Sequence, residues 1–166
     1  MKTIIATASV VLLTLFVIPA TRPAHAQDAL PNFTGKWTLD AAKSDFGPMP
    51  PPQSVVHTIE HKEPNIKIVT SQKSEQGDVT NERNLTTDGK PNVNKVRMAG
   101  PEQEVTSTTK WVGKALNTVM KVDIQGTPLD FNDMWTLSDD GKVLTIVREI
   151  KSSQGDFAVT TVFNKQ

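Results

Sequence analysis

The 166-residue sequence contains no cysteine. Stability must therefore come from packing rather than from disulfides, and thiol chemistry, cysteine–metal sites and lipid attachment to an N-terminal cysteine are excluded. The sequence also lacks an excess of either charge, since 18 Lys and Arg side chains balance 18 Asp and Glu side chains. Nucleic-acid-binding proteins concentrate basic charge on one face, so this balance gives no indication of a nucleic acid partner.

Sequence motifs for catalysis are missing as well. There is no Gly-x-Ser-x-Gly turn, phosphate loop or dinucleotide fingerprint. The run His57-Thr58-Ile59-Glu60-His61 has the H-x-x-E-H spacing of inverted zinc proteases, but that chemistry needs a helix, because only there do residues four apart share a face. The run follows three prolines and starts after Val55-Val56, which predicts a strand. We therefore expect a non-catalytic protein without catalytic residues, a metal site or a cofactor.

Residues 1–26 have the pattern of a cleavable secretory signal peptide. Lys2 supplies the positive start, Ile4 to Ile18 is apolar but too short to cross a bilayer comfortably, and Ala24-His25-Ala26 is the small-x-small pattern of a cleavage site. We expect residues 27–166 to form a single domain that is secreted or periplasmic, with no membrane span after cleavage. A retained membrane anchor is the alternative.

The rest of the chain repeats one theme, a β-type run followed by a turn signal. After the alternating run Phe33–Leu39, the runs are Val55–His61, Ile66–Gln72, Val79–Thr87, Val93–Met98, Val105–Trp111, Ala115–Ile124, Leu129–Leu137, Lys142–Lys151 and Phe157–Phe163. Asp88-Gly89 and Asp139-Asp140-Gly141 lack the spacing of a calcium loop and are predicted to be hairpin turns. The proline-rich stretch 47–52 is predicted to be an extended surface loop, with at most one short helix in Ala41–Asp45 before it.

This pattern predicts an all-β fold. Short connections favour sequential antiparallel hairpins, which form an up-and-down meander. A flat meander would expose two edges, whereas closing it into a barrel removes them. We therefore expect a closed or nearly closed barrel of about 8–10 strands, wide enough to hold one small ligand. Trp37 is expected to be buried near one end.

The first strand carries a family resemblance. Phe33-Thr34-Gly35-Lys36-Trp37-Thr38-Leu39 resembles the first-strand Gly-x-Trp signature of the calycins, which include lipocalins, fatty-acid-binding proteins and avidins. The later runs 109–114 and 135–145 also resemble calycin strands and turns, and the chain is similar to small exported bacterial lipocalin-like proteins of unassigned function. Two departures stand out: a proline-rich loop replaces the two helices that fatty-acid-binding proteins have after the first strand, and the disulfide of typical secreted lipocalins is absent.

Charged and polar residues fall on faces that are otherwise apolar. Arg148 shares a face with Leu144, Ile146 and Ile150, so a core-facing Leu144 carries Arg148 inward with it. Other residues of this kind are Arg83, His57, His61 and Asp133. A buried charge is costly unless it is paired or contacts a ligand, and an arginine fork matches a carboxylate.

These residues lead to a hypothesis about the ligand. The candidate ligand-binding residues are Arg148, Arg83, Trp135, Trp111 and His57. Arg148 and Arg83 are the expected counter-charges of an anionic ligand, but an ion pair between Arg148 and Asp133 would make Arg148 structural. The predicted function is binding of a small apolar or amphipathic molecule inside the barrel. Three alternatives remain: an interaction or structural module with a filled interior, a hydrolase or isomerase on a calycin-like barrel, and an inhibitor or chaperone acting through its outer surface.

Overall fold

Ten antiparallel strands make up the fold, in agreement with the predicted all-β meander. The computed structural model describes residues 29–75, 77–98, 100–153 and 155–166, so the predicted signal peptide and its cleavage site lie outside the described residues. The strands are β1 (Gly35–Leu39), β2 (Ser54–Lys62), β3 (Asn65–Lys73), β4 (Val79–Thr86), β5 (Asp88–Val96), β6 (Gln103–Val112), β7 (Ala115–Ile124), β8 (Thr127–Leu137), β9 (Val143–Ser152) and β10 (Phe157–Lys165).

The strands form one nearly closed barrel. Their order in the sheet is β4-β3-β2-β1-β10-β9-β8-β7-β6-β5, so each strand pairs with its neighbour in sequence except at the junction of β4 and β5. Pairing of β1 with β10 joins the first and the last strand in the same wall. The connections alternate between two ends of the barrel. We call the end where β1 begins the closed end and the opposite end the mouth.

The junction of β4 and β5, which we call the seam, corrects one predicted turn. Asp88-Gly89 is not a hairpin turn, because β4 and β5 are joined by Thr87 alone and Asp88 already begins β5. Asparagine side chains bridge the two strands: Asn84 N donates to Asn94 Oδ1 at 2.7 Å, and Arg97 N donates to Asn81 Oδ1 at 2.7 Å. These bonds satisfy backbone groups that a regular ladder would otherwise pair.

Little of the described part of the chain has helical structure. A single 3₁₀ turn, Ala41–Lys43, lies in the connection between β1 and β2, within the segment expected to hold at most one short helix. Residues 47–49 of the proline-rich stretch that follows form turns and bends, and most of its side chains are exposed. Among the described residues, no helix has the length and hydropathy needed to cross a membrane.

The interior contains two apolar clusters. The cluster near the closed end is built around Trp37, Phe33 and Trp135, and the cluster near the mouth around Phe131 and Met120. Burying these side chains supplies most of the driving force for folding. Polar side chains lie between the two clusters, and they form the candidate site.

The Gly-x-Trp motif packs at the closed end. Trp37 is fully buried, and its Nε1 donates to the carbonyl oxygen of Phe33 at 2.9 Å. Gly35 has a φ of 150°, and a Cβ there would lie 2.7 Å from the side chain of Lys165, whose Nζ sits 5.2 Å from the centre of the Trp37 ring. A side chain at position 35 would therefore displace Lys165 from the indole.

Candidate functional site

Polar residues cross the barrel interior in one continuous row. The strand register places Thr109 opposite Thr118, Thr118 opposite Asp133, and Asp133 opposite Arg148. Side chains directly opposite each other in an antiparallel pair point to the same face, so all four project inward. His57 and Arg83 extend this polar layer on the other side of the barrel, on β2 and β4.

Arg148 is bound to Asp133. Its Nε and one terminal nitrogen each donate to a different Asp133 carboxylate oxygen at 2.6 Å, and its guanidinium lies 4.8 Å from the centre of the Phe131 ring. Burial disfavours the charged guanidinium, but Asp133 outweighs this effect and raises the pKa of Arg148. A bidentate pair of this kind neutralises both partners. Arg148 is therefore withdrawn as the principal counter-charge of a ligand. This ion pair with Asp133 is the alternative named in the sequence analysis, and it makes Arg148 structural.

One partner of this ion pair, Arg148, is partly exposed. The Arg148 side chain is 31% exposed, although Ile146 and Ile150 on the same face of the strand are buried. Asp133 is completely buried. The ion pair is therefore accessible to solvent at its Arg148 end and buried at its Asp133 end.

Arg83 is the unpaired charge of the polar layer. It points inward from β4, opposite Ile68, and forms no hydrogen bond or ion pair with any residue in the described part of the chain. Burial lowers the pKa of Arg83, the charge of Asp133 opposes this effect, and the charge of Arg148 adds to it. The Arg83 side chain is only partly buried, so its five donors are available to an acceptor from outside the protein.

His57 lies among these charges without carrying one. It is buried, and its Nδ1 is 2.8 Å from the Thr70 hydroxyl. Burial, together with the charges of Arg83 and Arg148, lowers the pKa of His57 to about 3. The imidazole is therefore uncharged near neutral pH. Its ring packs against Phe163, with centroids 4.5 Å apart, and stacks against Trp135 at 6.3 Å.

Trp135 contributes a second unused donor. Its side chain is buried, and its Nε1 has no hydrogen-bond partner among the residues that the structure describes. Buried N–H groups are rarely left without an acceptor, and each exception needs an explanation. The indole stacks on His57, whose pKa is influenced by Arg83, so both unused donors belong to one region of the interior.

An accessible wall leads from the mouth toward Arg83. Of the inward-facing residues on the mouth-side halves of β3 and β4, Gln72 is exposed and the others are partly buried, whereas their counterparts across the barrel are packed in the apolar cluster. In order from the mouth, the pairs are Gln72 with Val79, and Thr70 with Asn81. Arg83 follows Asn81 on the same face, so it is the first charged side chain along this wall.

Trp111 has a different position from the one predicted for a ligand platform. It lies at the closed end, stacked on Phe33 with ring centroids 5.9 Å apart. Its Nε1 donates to a Glu63 carboxylate oxygen at 2.9 Å, and His61 Nε2 is 2.8 Å from the same oxygen. Thr87 donates to the other oxygen of Glu63. Glu63 thus links β2, β6 and the β4–β5 connection at the closed end, and the Trp111 indole takes part in this network.

The H-x-x-E-H run lies in β2, as the strand interpretation requires. His57 and His61 both face inward, whereas Glu60 is exposed on the outer face. Within the described ranges, no group of three or more His, Asp or Glu side chains is placed to hold a metal ion.

A shallow groove of about 440 Å³ crosses the outer face of β6–β9. Its polar side chains largely satisfy one another: Lys121 pairs with Asp130 at 3.2 Å, and Asn132 donates to Glu149 at 3.1 Å. The groove lies on the opposite side of the sheet from the polar layer. We do not assign a ligand to it.

Comparison with known proteins identifies the fold. No protein-family model and no curated protein sequence matches the chain. Among solved structures, the chain is similar to zebrafish ileal bile acid-binding protein complexed with cholic acid, with a TM-score of 0.53 and 15% identity over 81% of this chain and 98% of that one.

Two secretory abundant heat soluble proteins of Ramazzottius varieornatus are also similar in structure. One gives a TM-score of 0.53 with 12% identity over 80% of this chain and 94% of that one. The other, protein 4, gives a TM-score of 0.50 with 14% identity over 81% and 94%. At these identities the likeness shows the fold alone. The predicted antiparallel up-and-down barrel is therefore confirmed.

Proposed function

We propose that this protein is an exported, non-catalytic carrier or receptor that binds a small amphipathic molecule inside its barrel, with Arg83 as the counter-charge of an anionic group. The observation that carries the proposal is the inward-facing Arg83 guanidinium without a partner in the described part of the chain. Trp135 Nε1, which is buried without a hydrogen-bond partner among the described residues, is a second unused donor of the interior. Apolar clusters on both sides of the polar layer would contact the remainder of an amphipathic ligand.

The fold supports this proposal, since one structural neighbour is a bile acid-binding protein crystallised with cholic acid. The signal-peptide pattern of residues 1–26 supports export. The two apolar clusters also favour a second candidate, a module whose interior is simply filled. Ligand titration separates the two, because a filled interior binds neither polar nor apolar probes.

The test uses decanoate and decanol, which share a chain and differ in charge. We expect decanoate to bind the wild type and to quench or shift its tryptophan fluorescence. Arg83→Met should weaken decanoate binding by about 10- to 100-fold, because hydrogen bonds to charged groups contribute about 1.5–3 kcal/mol. Decanol binding should change by less than about threefold, since the apolar contacts remain.

Arg97→Met is the matched control. Arg97 is exposed, and only its backbone takes part in the seam, so this variant removes the same charge without altering the interior. It should bind decanoate like the wild type. Equal loss of decanoate in both arginine variants, or no binding by the wild type, would contradict the proposal.

A further inference from the structure

Asp133 neutralises one of the two arginine side chains in the polar layer. Its carboxylate is completely buried and accepts both of its short hydrogen bonds from Arg148. The neighbouring Thr109 and Thr118 hydroxyls bond to each other at 2.9 Å. Asp133 is therefore committed to one guanidinium and leaves the other, Arg83, free.

The charges of the polar layer sum to a single positive charge. Arg83 and Arg148 each contribute one positive charge, Asp133 contributes one negative charge, and His57 is uncharged near neutral pH. These four residues are the ionisable groups that we place in the polar layer between the two apolar clusters. One monoanion would make this layer electrically neutral, whereas a dianion would leave a buried charge uncompensated.

We propose that Asp133 is a specificity-determining residue: by holding Arg148 it leaves one free guanidinium, so that the interior accepts a monoanionic ligand and rejects a dianionic one. This inference rests on the proposed function, because it specifies the charge of the ligand at the same site. The physical reason is that an unpaired charge inside a protein is much more costly than a paired one.

The experiment compares octyl sulfate with octyl phosphate, which have the same chain and a similar tetrahedral headgroup. At about pH 8 the sulfate is a monoanion and the phosphate is largely a dianion, because its second pKa is about 6. The wild type should bind octyl sulfate at least about 30-fold more tightly than octyl phosphate. At about pH 5, where the phosphate is a monoanion, the two affinities should converge. Neither comparison needs a variant.

Two variants test the role of Asp133 itself. Asp133→Asn raises the interior charge to two and should reverse the preference in favour of octyl phosphate at about pH 8. The double variant Asp133→Asn/Arg148→Met removes both partners of the ion pair, restores one positive charge and should restore the preference for octyl sulfate. A merely structural role of Asp133 would weaken both probes alike and leave their ratio unchanged. Near-ultraviolet circular dichroism checks that each variant is folded.

The outcomes separate this inference from the function on which it rests. If octyl sulfate fails to bind the wild type, the proposed function and the inference both fail. If the wild type binds both probes equally at about pH 8, or if a folded Asp133→Asn keeps the wild-type ratio, the inference alone is overturned while ligand binding stands.

Discussion

Trp37→Ala should lower the free energy of unfolding by about 3–5 kcal/mol, the largest effect we expect from a single substitution in this chain. Trp37 has no exposed surface and lies in the cluster that fills the closed end. The substitution removes an entire indole from that cluster and also leaves the Phe33 carbonyl oxygen without its donor. Since β1 joins β2 to β10, the neighbouring strands cannot collapse easily into the cavity.

Urea unfolding followed by circular dichroism measures this loss. Val93→Ala is the control, because Val93 is 62% exposed on β5 and its truncation should change stability by less than about 0.5 kcal/mol. A loss below about 1 kcal/mol for Trp37→Ala would mean that the tryptophan does not support the closed end.

The second large effect is a loss of stability in mild acid caused by His57. The pKa of His57 is lowered from 6.5 to about 3 in the folded protein by burial and by the charges of Arg83 and Arg148. Below pH 6.5 the unfolded chain therefore binds a proton at this position and the folded chain does not. Stability contributed by the uncharged ring is complete above pH 6.5 and is lost as the pH falls toward 3.

The magnitude follows from the size of the shift. We expect a loss of about 2 kcal/mol between pH 6.5 and about pH 5, and about 5 kcal/mol over the full range. The carboxyl groups of Asp40, Glu63 and Asp88 have lowered pKa values, and their effect begins only below their ordinary values of 3.8 to 4.5. A change in the free energy of unfolding between pH 6.5 and about pH 5 therefore reports on His57 rather than on these carboxyl groups.

Chemical unfolding at several pH values checks this prediction. His57→Gln keeps a polar group near Thr70 but cannot titrate, so its stability should lose the part of the pH dependence that His57 causes. Identical slopes for the wild type and His57→Gln would show that His57 is not held uncharged in the interior.

The architecture could be predicted from the sequence because strand alternation is a local property. In β9, the spacing of Leu144, Ile146 and Ile150 was enough to place Arg148 on the inner face. The turn at Asp88-Gly89 was predicted wrongly, although its composition is typical of a hairpin. Pro91 lacks an N–H, the β5–β6 register shifts between Asp88 and Pro91, and asparagine side chains rather than a ladder connect β4 with β5.

The candidate site was less predictable because it depends on contacts across the barrel. Arg83 and Arg148 look equivalent in the sequence. Only the register of β8 with β9 gives Arg148 a partner, while Arg83 has none within the described ranges. The position of Trp111 could not be predicted for the same reason. Its indole donates to Glu63, which lies 48 residues earlier in the sequence, in the turn between β2 and β3. No sequence signal marked Glu63, since a carboxylate in a turn is usually solvated.

We propose above all that the barrel holds one anionic amphipathic molecule against Arg83. Native mass spectrometry of the protein purified without detergent from its own host tests this claim most directly. The wild type is expected to carry one small acidic molecule per chain, and Arg83→Met, prepared in the same way, is expected to carry much less of it. A wild type without bound mass, or an equal load on both proteins, would contradict the claim.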